Sequence, residues 1–203
     1  MMGMTVRSNI KDFTRHLNSI QKKQVPFATA QALNDTVFDV RKRIVERTYS
    51  RAFDVKNRRF ASQAFRVVKA TKRKQWARLY DRLGRGNLAL HAKGGTKRAK
   101  GRHVAVPSSN VKRTASGKVS KAKRPRAVIA SGKAFKGKTR GGKPVIFAKP
   151  RGKRGQVKLL YTLVGSVPVK KQFNFYDVAT STARRAFRHH FSKRLARALA
   201  TAR

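Results

Sequence analysis

The sequence predicts an α+β fold, in which N-terminal helices and a long C-terminal helix pack on a small antiparallel sheet, with a long basic Gly/Lys-rich insertion between them. Three observations predict it. Apolar residues recur at three- and four-residue steps through residues 1–81, β-rich runs separated by Gly and Lys turns fill residues 127–172, and helical periodicity returns over residues 173–203. Residues 82–126 carry neither pattern. The expected organisation is therefore an N-terminal helical part of a single domain (1–81), a basic arm (82–126), the β-rich part of the same domain (127–172) and a C-terminal amphipathic helix (173–203).

Taken in order, Ile10, Phe13, Leu17 and Ile20 give one apolar stripe on a helix of about four turns, which Gln24-Val25-Pro26 ends. Pro26 suits the first turn of a second, long helix, where its missing N–H costs nothing. There Ala30, Leu33, Val37, Val40 and Ile44 form one stripe, and Phe38, Val45, Tyr49 and Phe53 an adjoining one. Asp54 is the expected cap of a short third helix through Phe60, Ala64 and Phe65. An extended stretch over residues 67–79 follows, with Trp76 and Tyr80 on one side.

Within residues 82–126, Gly84, Gly86, Gly94-Gly95 and Gly101 break the chain, and only Val104-Ala105-Val106 resembles a strand. Such composition buries too little apolar surface to offset its own ordering entropy. The runs 127–130, Pro144–Ala148 and 157–169 are the expected strands. Asn174 is a good N-cap, Asp177 favours the helix N-terminus, and Ala183, Phe187, Phe191, Leu195 and Leu199 run down one face. Arg184, Arg185, Arg188 and Lys193 point mostly elsewhere.

The 203 residues hold 52 Lys and Arg against 7 Asp and Glu, a formal net charge of +45, while the apolar fraction stays at 39%. A core is therefore affordable, but the chain repels itself and belongs against a polyanion or an acidic protein surface rather than acting alone on a small molecule. The charge is concentrated. Six of the seven acids lie in residues 1–81, and residues 82–172 hold 26 Lys and Arg, 13 of the 14 Gly, 5 of the 6 Pro and no acid. The absence of Cys excludes disulfides, thiolate metal sites and cysteine nucleophiles. The first ten residues do not read as a secretory signal, and the longest apolar stretch, 159–169, is broken by Thr162, Gly165, Ser166 and Pro168 far short of a membrane span.

Residues 132–139, Gly-Lys-Ala-Phe-Lys-Gly-Lys-Thr, match a phosphate-binding loop literally. A working loop needs a helix to begin at Lys138-Thr139, and Thr139-Arg140-Gly141-Gly142-Lys143-Pro144 is a poor start for one; the magnesium-holding acid is missing too. Lys138→Ala should accordingly leave function intact. Asp35, Asp39 and Glu46 lack a convergent third metal ligand, and helix-face pairing of Asp39 with Lys42 and Arg43 accounts for it. His16, His91, His103, His189 and His190 show no zinc spacing and no nucleophile or acidic partner, so no catalytic residue, metal or cofactor is expected.

The basic excursion stands above background. Its candidate contacts to nucleic acid or an acidic partner are Lys97, Arg98, Lys100, Arg102, Lys112, Arg113, Lys121, Lys123, Arg124, Arg126, Lys136, Lys138, Arg140, Arg151, Lys153 and Arg154, with Lys118, Lys133 and Lys143 in the same run. Gly, Ser, Ala and Pro between them keep the backbone thin, and phosphates are the natural partner. Aromatic residues are nearly absent and no recognition helix is visible, so sequence readout is not expected. Removal of residues 93–126 is expected to leave the apolar stripes, and so folding, intact.

Gln24-Val25-Pro26-Phe27-Ala28-Thr29-Ala30-Gln31-Ala32-Leu33-Asn34, the basic turn Val55-Lys56-Asn57-Arg58-Arg59 and the Gly/Lys/Arg-rich middle together resemble the minor tail protein Z family of tailed bacteriophages. The ending Tyr161-Thr162-Leu163-Val164-Gly165-Ser166-Val167-Pro168-Val169, followed by the helix from Asn174, is similar to that family and its wider group of tail-completion and head–tail joining proteins. The resemblance implies a non-enzymatic virion subunit, assembled in the host cytoplasm, at the head-proximal end of the tail. Its implied partners are other tail and neck proteins, further copies in a ring, and packaged DNA at the basic arm, with no membrane. The competing expectation is a ribosomal or nucleoid-type protein whose basic extension threads through RNA or coats DNA.

Overall fold

The stripe Ala30, Leu33, Val37, Val40 and Ile44 is buried along its whole length, as 3.6-residue periodicity requires of a helix laid on a core. A computed structural model describes residues 2–8, 19–84, 88–99, 101–150, 152 and 155–201. The expected helix on Ile10, Phe13 and Leu17 lies outside them. The chain divides into two compact units, a body of Met1–Gly94 with Lys171–Arg203 and an insert of Gly95–Lys170.

In chain order the body contains β1 (Gly3–Arg7), α1 (Ser19–Arg43), α2 (Arg58–Ala64), β2 (Phe65–Val68), β3 (Trp76–Asp81) and α3 (Leu88–Lys93). The insert contains β4 (Gly95–Arg98), β5 (Val104–Pro107), α4 (Pro125–Ala130), β6 (Ala134–Lys138), β7 (Pro144–Ala148), β8 (Lys158–Val164) and β9 (Ser166–Val169). The chain then returns to the body as α5 (Phe175–Ala200). The fold is α+β, with long helices on antiparallel sheet.

The body's sheet has the order β1-β3-β2, antiparallel throughout, with Val6 opposite Ala77 and Val67 opposite Leu79. The sheet beneath the helices therefore comes from residues 3–7 and 65–81, and the β-rich stretch 127–169 builds the insert instead. At Gly3 a Cβ would stand 3.0 Å from the Leu79 carbonyl oxygen, which explains the glycine. Asp81 closes the sheet: its buried carboxylate accepts the N–H groups of Leu83 and Gly84, both at 3.0 Å.

Several helix boundaries differ from expectation. Pro26 lies inside α1, not at its start. The Gln75 amide donates to the Pro26 carbonyl at 3.1 Å, and the Thr29 hydroxyl to the Val25 carbonyl at 2.8 Å. Past Arg43 the helix widens into an i→i+5 turn over Ile44–Thr48 before a last turn, Tyr49–Ala52. Asn57, not Asp54, caps α2 by accepting the Arg59 N–H at 3.0 Å; Asp54 pairs with Lys56 at 2.9 Å. Asn174 occupies the N-cap of α5 without a side-chain hydrogen bond, and Asp177 in the first turn faces Lys171 at 3.8 Å. Phe38, expected in the stripe adjoining the Ala30–Ile44 face, is 43% exposed and lies under the Lys69 ammonium.

Polar side chains lock the elements together. Asn34 clamps the β2–β3 loop, donating to the Ala70 carbonyl at 3.1 Å and accepting its N–H at 2.7 Å. Arg41 donates to the carbonyls of Phe65 and Ser62. Arg194 of α5 makes a two-pronged pair with Asp35 at 2.6 and 3.0 Å, and His190 meets Asp39 at 2.7 Å. Rising numbers on one helix face falling numbers on the other, so α1 and α5 run antiparallel. Asp39 thus serves a cross-helix pair rather than the Lys42 and Arg43 of its own helix, and His190 has the acidic partner that the sequence did not reveal. The hydrogen bond to Asp35 holds the Arg194 guanidinium above its ordinary range.

Where α5 enters, Phe65, Phe173 and Phe175 are fully buried with ring centroids 5.7–6.0 Å apart. The N–H groups of Gln172 and Phe173 both donate to the His91 carbonyl, tying α3 to this entry. Phe173 also touches Tyr49 and Phe53, so one side chain joins three elements. Phe173→Ala is expected to cost about 3–5 kcal/mol, read as a lower urea midpoint in the fluorescence of the single tryptophan, Trp76.

In the insert, β5-β8-β7-β6 form a four-stranded antiparallel sheet, and β4 pairs with β9 as a two-stranded ribbon. Val111, Ala134, Ile146 and Tyr161 are buried, with Ala105, Val119, Val128, Ile129, Leu160 and Leu163 packed against them. Residues 127–130, expected as a strand, form α4: Pro125 supplies the first turn and aims Val128 and Ile129 at the sheet. The stretch 82–126, expected as an unstructured arm, contributes β4, β5 and the core side chains of Val111 and Val119. Composition alone forbade a fold here, but strands from residues 144–169 supply the missing partners. Removing residues 93–126 would therefore take an edge strand and Val111 from the sheet, contrary to the expectation that the fold would survive.

Candidate polyanion interface

The insert carries 22 Lys and Arg and no acid in its 76 residues. Lys112, Arg113, Lys123 and Lys133 among them sit on or beside well-anchored loops. The Ser108 N–H donates to the Leu160 carbonyl at 2.9 Å, the Asn110 amide donates to the Leu159 carbonyl at 3.0 Å, and the Val111 N–H returns to the Ser108 carbonyl. This turn drives Val111 into the core and leaves Lys112 and Arg113 exposed directly after it.

A second anchor comes from β8. The buried Tyr161 hydroxyl donates to the Lys123 carbonyl at 2.6 Å, pinning the turn Lys121–Lys123 and the start of α4 against the sheet. Burial pushes the Tyr161 phenol above its ordinary value, against the opposing pull of the Arg113 charge. The Ser131 and Gly132 N–H groups then close α4 on the carbonyls of Ala127 and Ile129, with Gly132 at φ +67° reversing the chain. Lys133 follows, and its carbonyl accepts the Lys149 N–H at 2.9 Å, extending the β6–β7 ladder by one pair.

These anchors frame a cleft of about 560 Å³. Val111, Val128, Leu160 and Tyr161 form its apolar lining, and Lys112, Lys123, Lys133 and Lys149 its cationic one. An adjoining hollow of about 390 Å³ shares Asn110, Lys149 and Leu160 and adds Lys158. Among the described residues expected as contacts, Lys112 and Lys123 meet in the cleft, together with Lys133 of the same basic run. Arg98, Arg102, Lys121, Arg124, Arg126, Lys136, Lys138 and Arg140 are exposed elsewhere on the insert, Lys97 on β4 is half-buried, and Lys100, Arg151, Lys153 and Arg154 lie outside the described residues. Lys149 was not singled out in the sequence; its signal would have been the β7 register, which places it beside Lys133.

The phosphate-loop match is taken up by other structure. Gly132 ends a helix, residues 134–138 form β6, and Thr139–Lys143 is a hairpin turn in which the Thr139 N–H donates to the Lys143 carbonyl at 2.9 Å. No helix begins at Lys138. Among the described residues no group of three or more His, Cys, Asp or Glu is placed to hold a metal ion, and no helix is long and apolar enough to cross a membrane. Comparison with family models, curated proteins and solved structures finds no match for this chain.

Tyr161→Phe is expected to lower the stability of the insert by about 1 kcal/mol near neutral pH. A raised phenol value means that the folded state holds its proton more tightly than the unfolded one. Stability is then full below pH 10 and falls as pH rises through the folded value. Chemical denaturation at pH 8 and pH 11 checks both, and the phenylalanine variant should lose less over that interval.

Proposed function

We propose that this chain is a non-enzymatic structural subunit that binds a polyanion through its insert, and that it serves at the head-proximal end of a phage tail, completing the tail and joining it to the DNA-filled head. The observation that carries the polyanion part is the folded insert with 22 cations and no acid. Like charges packed at that density raise the free energy of the compact state unless counter-charge arrives from outside, and a phosphate backbone supplies it in a regular row. The place in the virion rests on the resemblance of residues 24–34, 55–59 and 161–169 to the minor tail protein Z family.

In this reading the body supplies protein contacts to neighbouring copies and other tail or neck proteins, and the insert touches packaged DNA. The competing role, a ribosomal or nucleoid protein, uses the same charge but a different assembly. Fractionation separates them: the chain should be recovered in purified particles together with capsid proteins. Recovery with ribosomes in phage-free cells would overturn the virion role.

The polyanion part has its own measurement. Binding of the full chain to a DNA duplex should weaken steeply with salt, with a log–log slope of about −0.9 for each phosphate neutralised. A slope near zero would overturn it.

A further inference from the structure

The cleft under α4 differs from the rest of the insert's basic surface in ways that point to one kind of occupant. Lys133 and Lys149 are joined by a backbone hydrogen bond of 2.9 Å, so two like charges stem from adjacent positions across a strand pair, an arrangement that costs stability in isolation. Lys112 and Lys123 line the same cleft, and the insert offers no carboxylate to any of the four. All four sit on backbone that is held independently of them, by the Ser108–Val111 turn, the Tyr161 hydroxyl and the β6–β7 ladder. The site is thus formed before its anion arrives, which reduces the ordering cost of binding.

The lining separates a nucleotide from other polyanions. Val111, Val128 and Leu160 give the cleft an apolar wall, which a bare polyphosphate or an acidic peptide backbone leaves unused. A volume of about 560 Å³ falls within the about 300–1,000 Å³ typical of small-ligand clefts. A duplex keeps its bases stacked inside a convex rod and offers this wall nothing. A nucleotide of a single strand offers both parts, a flat weakly polar base for the wall and phosphates for the lysines.

We infer that the cleft is a single-strand nucleotide site, in which the aliphatic wall receives a base and Lys112, Lys123, Lys133 and Lys149 hold the adjoining phosphates. This rests on the polyanion reading above and names the part of the insert that distinguishes a single strand or strand end from duplex. The adjoining hollow, with Lys158, continues the track for the next nucleotide.

The test uses the full chain and fluorescence anisotropy with a dye-labelled oligothymidylate of twelve nucleotides and with a twelve-base-pair duplex. One variant carries Lys112→Ala, Lys133→Ala and Lys149→Ala; a charge-matched control carries Lys136→Ala, Lys138→Ala and Lys143→Ala on the β6–β7 hairpin. Circular dichroism and thermal melts establish that both remain folded. The cleft variant should bind the oligothymidylate at least tenfold more weakly and with a salt slope shallower by about 2, from roughly 0.7 per single-strand phosphate contact. The control should lose less than threefold, and duplex binding should fall equally in both. If the cleft variant does not fold, Lys149→Glu alone, at an exposed position that brings a carboxylate to the cleft, should produce the same selective loss. Equal loss of oligothymidylate in the two triple variants overturns the inference, as does inorganic polyphosphate competing as well per phosphate as the oligonucleotide. If the parent chain binds neither nucleic acid, the polyanion reading itself fails; if it binds both and the cleft variant matches it, only the nucleotide site fails.

Discussion

The antiparallel clamp between α1 and α5 is the contact on which the body depends, and its chemistry follows from scarcity. A chain with a net charge of +45 has seven carboxylates to distribute, and two of them, Asp35 and Asp39, stand one turn apart on α1 against Arg194 and His190 of α5. Hydrophobic burial drives the two helices together, but the exposed arginines of α5 oppose any approach to a basic neighbour. The two acids turn that approach into attraction and fix the register. Asp81 spends a third carboxylate on closing the sheet, and Asp54 and Asp177 each meet a lysine. Where no carboxylate is spared, as at Arg41, backbone carbonyls take the guanidinium instead.

The insert follows the opposite rule. It has no internal counter-charge, so its stability comes from the small core around Ile146 and Tyr161 and from backbone pairing, with cations distributed over turns and edges. Lys136 and Lys138 on the edge strand β6 also discourage pairing with other sheets. One side chain couples these tasks: Tyr161 packs in the core while its hydroxyl holds the turn that presents Lys123.

What could be read from the sequence was whatever a single element decides by itself. The stripe from Ala30 to Ile44 and the α5 face through Ala183, Phe187, Phe191 and Leu195 were legible because helical periodicity survives over many turns; at the end of α5 the face drifts, so that Ala198 is buried and Leu199, expected on the stripe, is 43% exposed. The strand at Pro144–Ala148 was legible because β-branched and aromatic residues cluster between turn signals. Residues 127–130 misled because Ala-Val-Ile-Ala is too short for periodicity to decide, and the deciding signal was Pro125 just upstream. Pro26 misled for the converse reason: a proline favoured at a first turn was accommodated inside a long helix whose other residues pack. The basic segment was legible as charge, but its partition into a cleft and a surrounding field depends on Val111, Gly132 and the β6–β7 register, which bring together lysines up to 37 positions apart, Lys112 and Lys149. The pairing of Asp35 with Arg194, across 159 positions, had no local signal at all.

The ribbon formed by β4 and β9 places Gly95 directly opposite Val169, so the insert begins and ends at neighbouring points. A unit whose two ends coincide makes little demand on the chain that carries it, since a short linker bridges the same gap. Such a cassette is portable. Its removal or transfer as a whole would leave the two flanking helices α3 and α5 to be joined across a short gap, with the charge of the insert going with it.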